Sequence, residues 1–286
     1  MKNTYKILIH GILFIGLVFS AHAQIKIPQA SPAATLKQTI GLTEITIEYS
    51  RPSMKGRDLF AELTPVGQVW RTGANLSTKI TISADVELEG KRIPAGTYSI
   101  YSIPGEQEWT VIINKKISWG TEYDESQDLE RITVPTISTR EPLEVFEFYL
   151  TPMSDVSGIL GFAWGNVKVQ MNIKSYDQEK TLASIEEIMS KPEEAKPGDF
   201  FAAANYYNTL NKDLKNALAW IDVYINNTEN AYWAYRVKAQ IQSKLGDNVS
   251  AIKTAELAIK IATEQGNDDY VRYTKKEMAG YKSAKK

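Results

Sequence analysis

From Ile45 onward, apolar and polar side chains change places at every second position. Ile45, Ile47 and Tyr49 alternate with Glu44, Thr46 and Glu48, the period of a strand with one wetted face. Ile80 and Ile82 keep the pattern, and Val86 and Leu88 oppose Glu87 and Glu89. Trp109, Val111 and Ile113 repeat it, as do Val167, Val169, Met171 and Ile173 against Lys168, Gln170 and Asn172. Residues 143–150 (LEVFEFYL) carry apolar side chains on both parities and are expected to form a central strand. Glu89-Gly90-Lys91, Pro94-Ala95-Gly96 and Pro104-Gly105 are turn signals between these runs. Seven or more short strands with no helical period between them predict an antiparallel β-sandwich or barrel, the sandwich preferred, over residues 24–176.

The period changes after Tyr176. Gly and Pro thin out, Ala, Lys, Leu and Glu rise, and the pattern becomes helical across residues 177–286. Asp213 and Asp247, Ala217 and Ala251, and Leu218 and Ile252 share one offset of 34 residues. The unit Lys244-Leu245-Gly246-Asp247, Ala251-Ile252, Ala258-Ile259 resembles a tetratricopeptide repeat, in which small residues let antiparallel helices approach closely. Asn205 and Tyr224 depart from that pattern, since the family prefers small residues there. Five or six helices in two repeats with flanking caps are expected, an α-helical TPR-like domain after the β-sandwich.

The N-terminus reads as a cleavable export signal over residues 1–23. Lys2 and Lys6 precede the apolar run ILIHGILFIGLVF, and Ala21-His22-Ala23 is a small-x-small cleavage site that makes Gln24 the new terminus. The run of about 13 residues is short of the roughly 20 that a membrane span needs, so no span is expected after cleavage. No Cys is available for a lipid anchor. The expected location is periplasmic or secreted.

Cleavage changes the available chemistry. The chain has no Cys, and its two His, His10 and His22, both lie in the signal. The processed protein would have no thiol, no imidazole base and no nitrogen or sulfur ligand for zinc. A Ser-His-Asp triad is excluded. Without Lys2 and Lys6, the 33 basic residues fall two further behind the 34 acidic ones, and no basic stripe occurs, so nucleic acid is not an expected partner. Neither GxGxxG nor a Walker pattern is present, and no cofactor is expected. The run Asp124-Glu125-Ser126-Gln127-Asp128 lacks the Gly and terminal Glu of an EF-hand loop, so no metal is expected.

Several motifs in the strand-rich half occur in a distinctive order: Tyr49-Ser50-Arg51-Pro52, Lys55-Gly56-Arg57, Val69-Trp70-Arg71-Thr72-Gly73-Ala74-Asn75, Pro94-Ala95-Gly96-Thr97-Tyr98 and Trp109-Thr110-Val111-Ile112-Ile113-Asn114-Lys115. In this order they resemble the exported bacterial family DUF2911, a domain of unknown function, over about residues 30–174. The resemblance implies an exported β-domain and brings no activity with it. The helical tail lies outside it.

Residues 69–75 form the best candidate site. Trp70 offers a flat apolar face, Arg71 a fork for carboxylate or phosphate, and Asn75 an amide that both donates and accepts. Structural roles compete: Arg71 paired with a Glu, Asn75 closing a turn, Trp70 filling the core. Arg51, Lys55 and Arg57 form a second basic cluster, read either as an anion site with Asp58 orienting one arginine or as a solvated loop held by surface salt bridges. The two segments would make one electropositive pocket only if they converged. Trp109 is in phase with the core, Trp119 before Gly120 is the ring expected to be exposed, and Trp164 is assigned to neither face. In the helical half, Trp220, Tyr224, Tyr232, Trp233 and Tyr235 are expected between helices, with a peptide-binding face as the alternative.

These readings converge on an exported, two-domain, non-catalytic binding protein. Its β-domain would bind a small polar or carbohydrate-like ligand through Arg51, Arg57, Trp70, Arg71 and Asn75, and its helical repeats would hold a protein partner. Two rivals stand beside it. One is a glycan hydrolase using a carboxylate pair, although no spacing among Glu44, Glu48, Asp58, Glu62 and the other acids singles out a pair. The other is an envelope assembly factor that binds only protein.

Overall fold

The structure is a computed structural model that describes residues 27–283; the expected signal lies outside the described residues. Among the described residues, ten strands precede six α-helices. The strands are β1 (Ala33–Ile40), β2 (Thr43–Ser50), β3 (Thr78–Ile82), β4 (Val86–Leu88), β5 (Lys91–Ile93), β6 (Gly96–Ile103), β7 (Glu108–Asn114), β8 (Asp128–Pro135), β9 (Ile137–Pro152) and β10 (Ser157–Ser175). They form a six-stranded sheet, ordered β1-β2-β3-β6-β7-β8, and a four-stranded sheet, ordered β5-β4-β10-β9. All pairings are antiparallel. The alternation read from sequence accounts for the core: Ile45, Ile47, Ile80, Ile82, Ile100, Val111 and Ile113 of one sheet pack with Val86, Leu88, Val169, Met171 and Ile173 of the other.

The run expected to be central is not. Residues 143–150 lie in β9, an edge strand of the four-stranded sheet. Phe146, Phe148 and Leu150 face the core, while the edge is partly closed by an isolated bridge from Ser53 to Val145 and by main-chain bonds from Met54 N to Glu144 O and from Phe146 N to Pro52 O, both 2.9 Å. The apolar run on both parities reflects that cover.

Strand β10 changes phase midway. Leu160, Phe162 and Trp164 point into the core, and then Val167, Val169, Met171 and Ile173 do. The pairing with β9 shifts register on both sides of Gly165, whose φ is +54°. A β-bulge there moves the inward set from even to odd positions, which settles Trp164 as buried.

Six helices follow: α1 (Asp177–Met189), α2 (Pro197–Leu210), α3 (Leu214–Asn226), α4 (Tyr232–Lys244), α5 (Asn248–Glu264) and α6 (Asp268–Ser283). The repeated aspartates have a defined role. Asp213 and Asp247 cap the N-termini of α3 and α5, accepting from Asn216 N at 3.3 Å and Ser250 N at 3.0 Å. Ala217 and Ala251, at the same offset, are fully buried. Tyr224 lies half-buried against Phe201, with ring centroids 5.0 Å apart, and Asn205 is exposed. Asp177, the first residue of α1, reaches back to the β1–β2 turn, where its Oδ2 accepts from Leu42 N and Thr43 Oγ1, both at 2.8 Å.

Candidate functional site

The three arginines expected to gather around a ligand are each bound to peptide carbonyls. Arg51 leaves the end of β2 and donates through Nε to Phe146 O at 3.0 Å, with Nη2 3.3 Å from Glu147 Oε2. Arg57 folds back on its own loop, donating to Met54 O at 3.0 Å and Ser53 O at 2.8 Å. Asp58 holds no arginine; it caps the π-helical turn Leu59–Leu63, accepting from Phe60 N and Ala61 N. Arg71 donates through Nη1 to Asn75 O at 3.0 Å. Peptide carbonyls are strong acceptors, and a guanidinium with five donors in a fixed fork suits them well.

Trp70 belongs to the inner aromatic layer. It stacks on Trp164, with centroids 5.7 Å apart and planes 17° apart, and meets Phe146 and Trp109 edge-on at 5.2 and 6.1 Å. Its main chain forms a bridge with Ser102, through bonds of 2.7 and 2.8 Å. The following loop is tightly constructed. Thr72 and Asn75 have φ of 49° and 63°, and a Cβ on Gly73 would lie 3.0 Å from Thr78 Oγ1 and 3.2 Å from Ser50 O. Asn75 Nδ2 donates to Ser50 Oγ at 3.2 Å, fastening the loop to the end of β2.

What this loop supports is a groove on the outer face of the six-stranded sheet, about 430 Å³ in volume. Its walls include Leu76, Ile117 and Trp119, all about half-exposed, with Trp119 at 54%. The polar lining comes from Thr35, Glu48, Ser50, Ser77 and Lys79. Glu48 and Lys79 face one another across β2 and β3 as an ion pair of 2.5 Å. Trp119 is therefore the exposed ring that its turn context foretold.

The Trp119 segment is held from both sides. Leu76 bridges to Trp119, and Ser77 Oγ donates to Ser118 O at 3.0 Å. Ser99 Oγ donates to Lys116 O at 2.8 Å. Tyr123 packs edge-on against Tyr101 at 5.0 Å and donates to Asp128 Oδ2 at 2.7 Å. Burial, reinforced by the Asp128 carboxylate, pushes the Tyr123 hydroxyl up to about 12, so it remains a donor. Gly120 fits against Arg71: a Cβ there would lie 2.3 Å from Arg71 Cδ and 2.9 Å from Asn75 O.

Of the five residues singled out from sequence, Asn75 adjoins the groove through Ser50, and Arg71 packs behind the Trp119 turn. Trp70 packs, partly buried, against the aromatic core, Arg51 is bound to β9, and Arg57 to its own loop at Ser53 and Met54. The basic and amide-rich segments meet at the end of β2, but their guanidinium groups donate to different carbonyls. Sequence reasoning missed Lys79, Leu76 and Ile117, and had placed Glu48 on an ordinary solvent face. Among the described residues, no group of three or more His, Asp or Glu side chains is placed to hold a metal ion.

A protein-family model described as Protein of unknown function (DUF2911) matches residues 31–173, half of the chain and nearly all of the two sheets. Comparison with curated proteins and with solved structures gave no match.

Proposed function

The chain belongs to the DUF2911 family through its β-domain, and we propose that it is an exported binding protein whose Trp119 groove takes a small, carbohydrate-like ligand. The supporting observation is the pairing of a half-exposed indole with a polar floor of Glu48, Lys79, Ser50, Ser77 and Thr35 in one groove. A sugar ring has an apolar face that stacks on an aromatic plane and a rim of hydroxyls that both donate and accept. Lys79 donates, Glu48 accepts, and the Ser and Thr hydroxyls do both. Asn75 and Arg71 act as positioning residues, one through Ser50 and the other behind Gly120. A glycosidase needs two carboxylates flanking the bond it cleaves. Glu48 is the one carboxylate that lines the groove among the described residues, which favours binding over hydrolysis.

The helical half serves in this reading as a TPR-like scaffold for a protein partner, on the strength of the 34-residue offset shared by two N-caps and two buried alanines. Export rests on the N-terminal signal pattern. Amino-terminal sequencing of the protein from fractionated cells checks it: Gln24 as first residue is the expected result, and an intact Met1 in the cytoplasm overturns it.

A thermal-shift screen of neutral and acidic oligosaccharides tests the groove. Ligand at about 100 times its Kd stabilises the fold by roughly 2.7 kcal/mol, and that shift disappears in a folded Trp119→Ala variant if the reading holds. A shift that survives Trp119→Ala moves the site elsewhere.

A further inference from the structure

The helical half contains a second, open cavity of about 400 Å³, lined by the polar side chains of Asn208 of α2, Gln240, Ser243 and Lys244 of α4, and Glu277 and Tyr281 of α6. Its hydrogen-bond polarity follows from one fixed point. Arg236 holds both oxygens of Glu277, with Nε 3.0 Å from Oε2, so Glu277 is an ionised acceptor. Gln240 must then turn its amide nitrogen to Glu277 Oε1, at 3.0 Å. That leaves Gln240 Oε1 to accept from Asn208 Nδ2, at 2.8 Å. The chain of donors ends at Asn208 Oδ1, an acceptor with no partner on a side chain only 4% exposed.

Two donors line the same cavity. The Tyr281 hydroxyl is buried without a partner, and burial, with Glu277 nearby, pushes it up to about 12, so it keeps its proton. Lys244 donates one N–H to the main-chain carbonyl of Asn208 in the last turn of α2, and burial pulls its pKa down. Among the described residues it has no carboxylate within ion-pair distance. The helix-capping bond accounts for one of its three donors. The residues lining the cavity thus carry one orphaned acceptor, an ammonium without a carboxylate partner and a spare hydroxyl.

We propose that this cavity binds a small carboxylate with a hydrogen-bond donor on its α-carbon: the carboxylate facing Lys244 and Tyr281, the donor facing Asn208 Oδ1. A 2-hydroxy acid, an N-acylated amino acid and the C-terminal residue of a polypeptide share this chemistry. A carboxylate without the donor leaves Asn208 Oδ1 unsatisfied, which lowers affinity about tenfold or more.

Calorimetric titration of the full chain with glycolate, N-acetylglycine and acetate tests the proposal. Saturable binding of the first two, with acetate about tenfold weaker, is the expected result. Lys244→Met is expected to abolish binding, and Tyr281→Phe to weaken it several-fold without lowering Tm, because that hydroxyl holds no partner in the fold. Trp119→Ala leaves this binding unchanged, which separates the cavity from the groove in the β-domain. A peptide with a free C-terminal Gly that binds more than tenfold tighter than N-acetylglycine identifies a chain end as the source; equal affinity identifies a free acid. No saturable binding of any probe, equal affinity for acetate and glycolate, or a folded Lys244→Met protein that binds like the parent overturns the proposal. If Lys244→Met does not fold, the acetate–glycolate contrast and Tyr281→Phe decide.

Discussion

Trp70 lies flat against Trp164, 5.7 Å between ring centroids and 17° from parallel, and this stack joins the loop before β3 to the bulged half of β10. The aromatic ring that looked like a platform for a ligand is a platform for another tryptophan. Trp70→Ala is therefore expected to lower stability by about 3 kcal/mol, as for other large-to-small changes at packed aromatic positions. Urea denaturation measures it, and a loss below about 0.5 kcal/mol would show that the stack contributes little.

Trp119 should behave in the opposite way. Its ring is half in solvent, so Trp119→Ala is expected to change stability by no more than about 0.5 kcal/mol. The same variant should lose ligand affinity tenfold or more, read by titration with whichever oligosaccharide shifts the parent. Equal affinity in parent and variant would remove Trp119 from the site.

Gly120 and Arg71 should be energetically coupled. A methyl group on Gly120 meets Arg71 Cδ at 2.3 Å and Asn75 O at 2.9 Å. Gly120→Ala is expected to cost about 1–3 kcal/mol, the range for overpacking a fitted site. Arg71→Ala removes the Cδ contact and leaves the carbonyl and the Arg71 Cβ, 3.0 Å away, so the double variant should recover part of that loss. A double-mutant cycle with coupling near zero would mean that the segment simply moves aside.

Asp177 predicts an acid-sensitive junction. Burial raises its pKa, but hydrogen bonds from Thr43 Oγ1 and Leu42 N more than offset this and hold the carboxyl below its ordinary value of 3.8. A depressed folded-state pKa contributes stability that is complete above the unfolded value and lost as pH falls through the folded one. Asp177→Asn should therefore destabilise the protein at neutral pH, and the difference from the parent should shrink below pH 3.8. Urea midpoints taken from neutral to acid pH check this; a constant difference would exclude the carboxylate as the cause.

The fold was legible because burial on one face imposes a period. Ile45, Ile47, Ile80 and Ile82 declare their strands by alternation, and Asp213 and Asp247 mark two helix starts by their common offset. The place of 143–150 in its sheet was not legible, since a strand covered at its edge by residues 52–54 looks as apolar as a central one. The groove was only partly legible. Trp119 before a glycine signals an exposed ring, but its companions Thr35, Glu48 and Lys79 come from three other strands and become neighbours through sheet register alone. The partners of the arginines were not legible for a physical reason: a guanidinium that donates to carbonyls such as Phe146 O, Ser53 O and Asn75 O has the same sequence signature as one awaiting an anion.

The bulge at Gly165 also constrains how this chain can change over time. Substitutions along β10 can be absorbed one side chain at a time, but counting cannot. Adding or removing a single residue on either side of the bulge would turn Leu160, Phe162 and Trp164, or Val167, Val169, Met171 and Ile173, outward together. Only at the bulge, where one surplus residue is already accommodated, can the strand change length without reversing a face. Length variation among descendants of this sequence should therefore collect at Gly165 and in the turns, leaving the spacing within each half of the strand fixed.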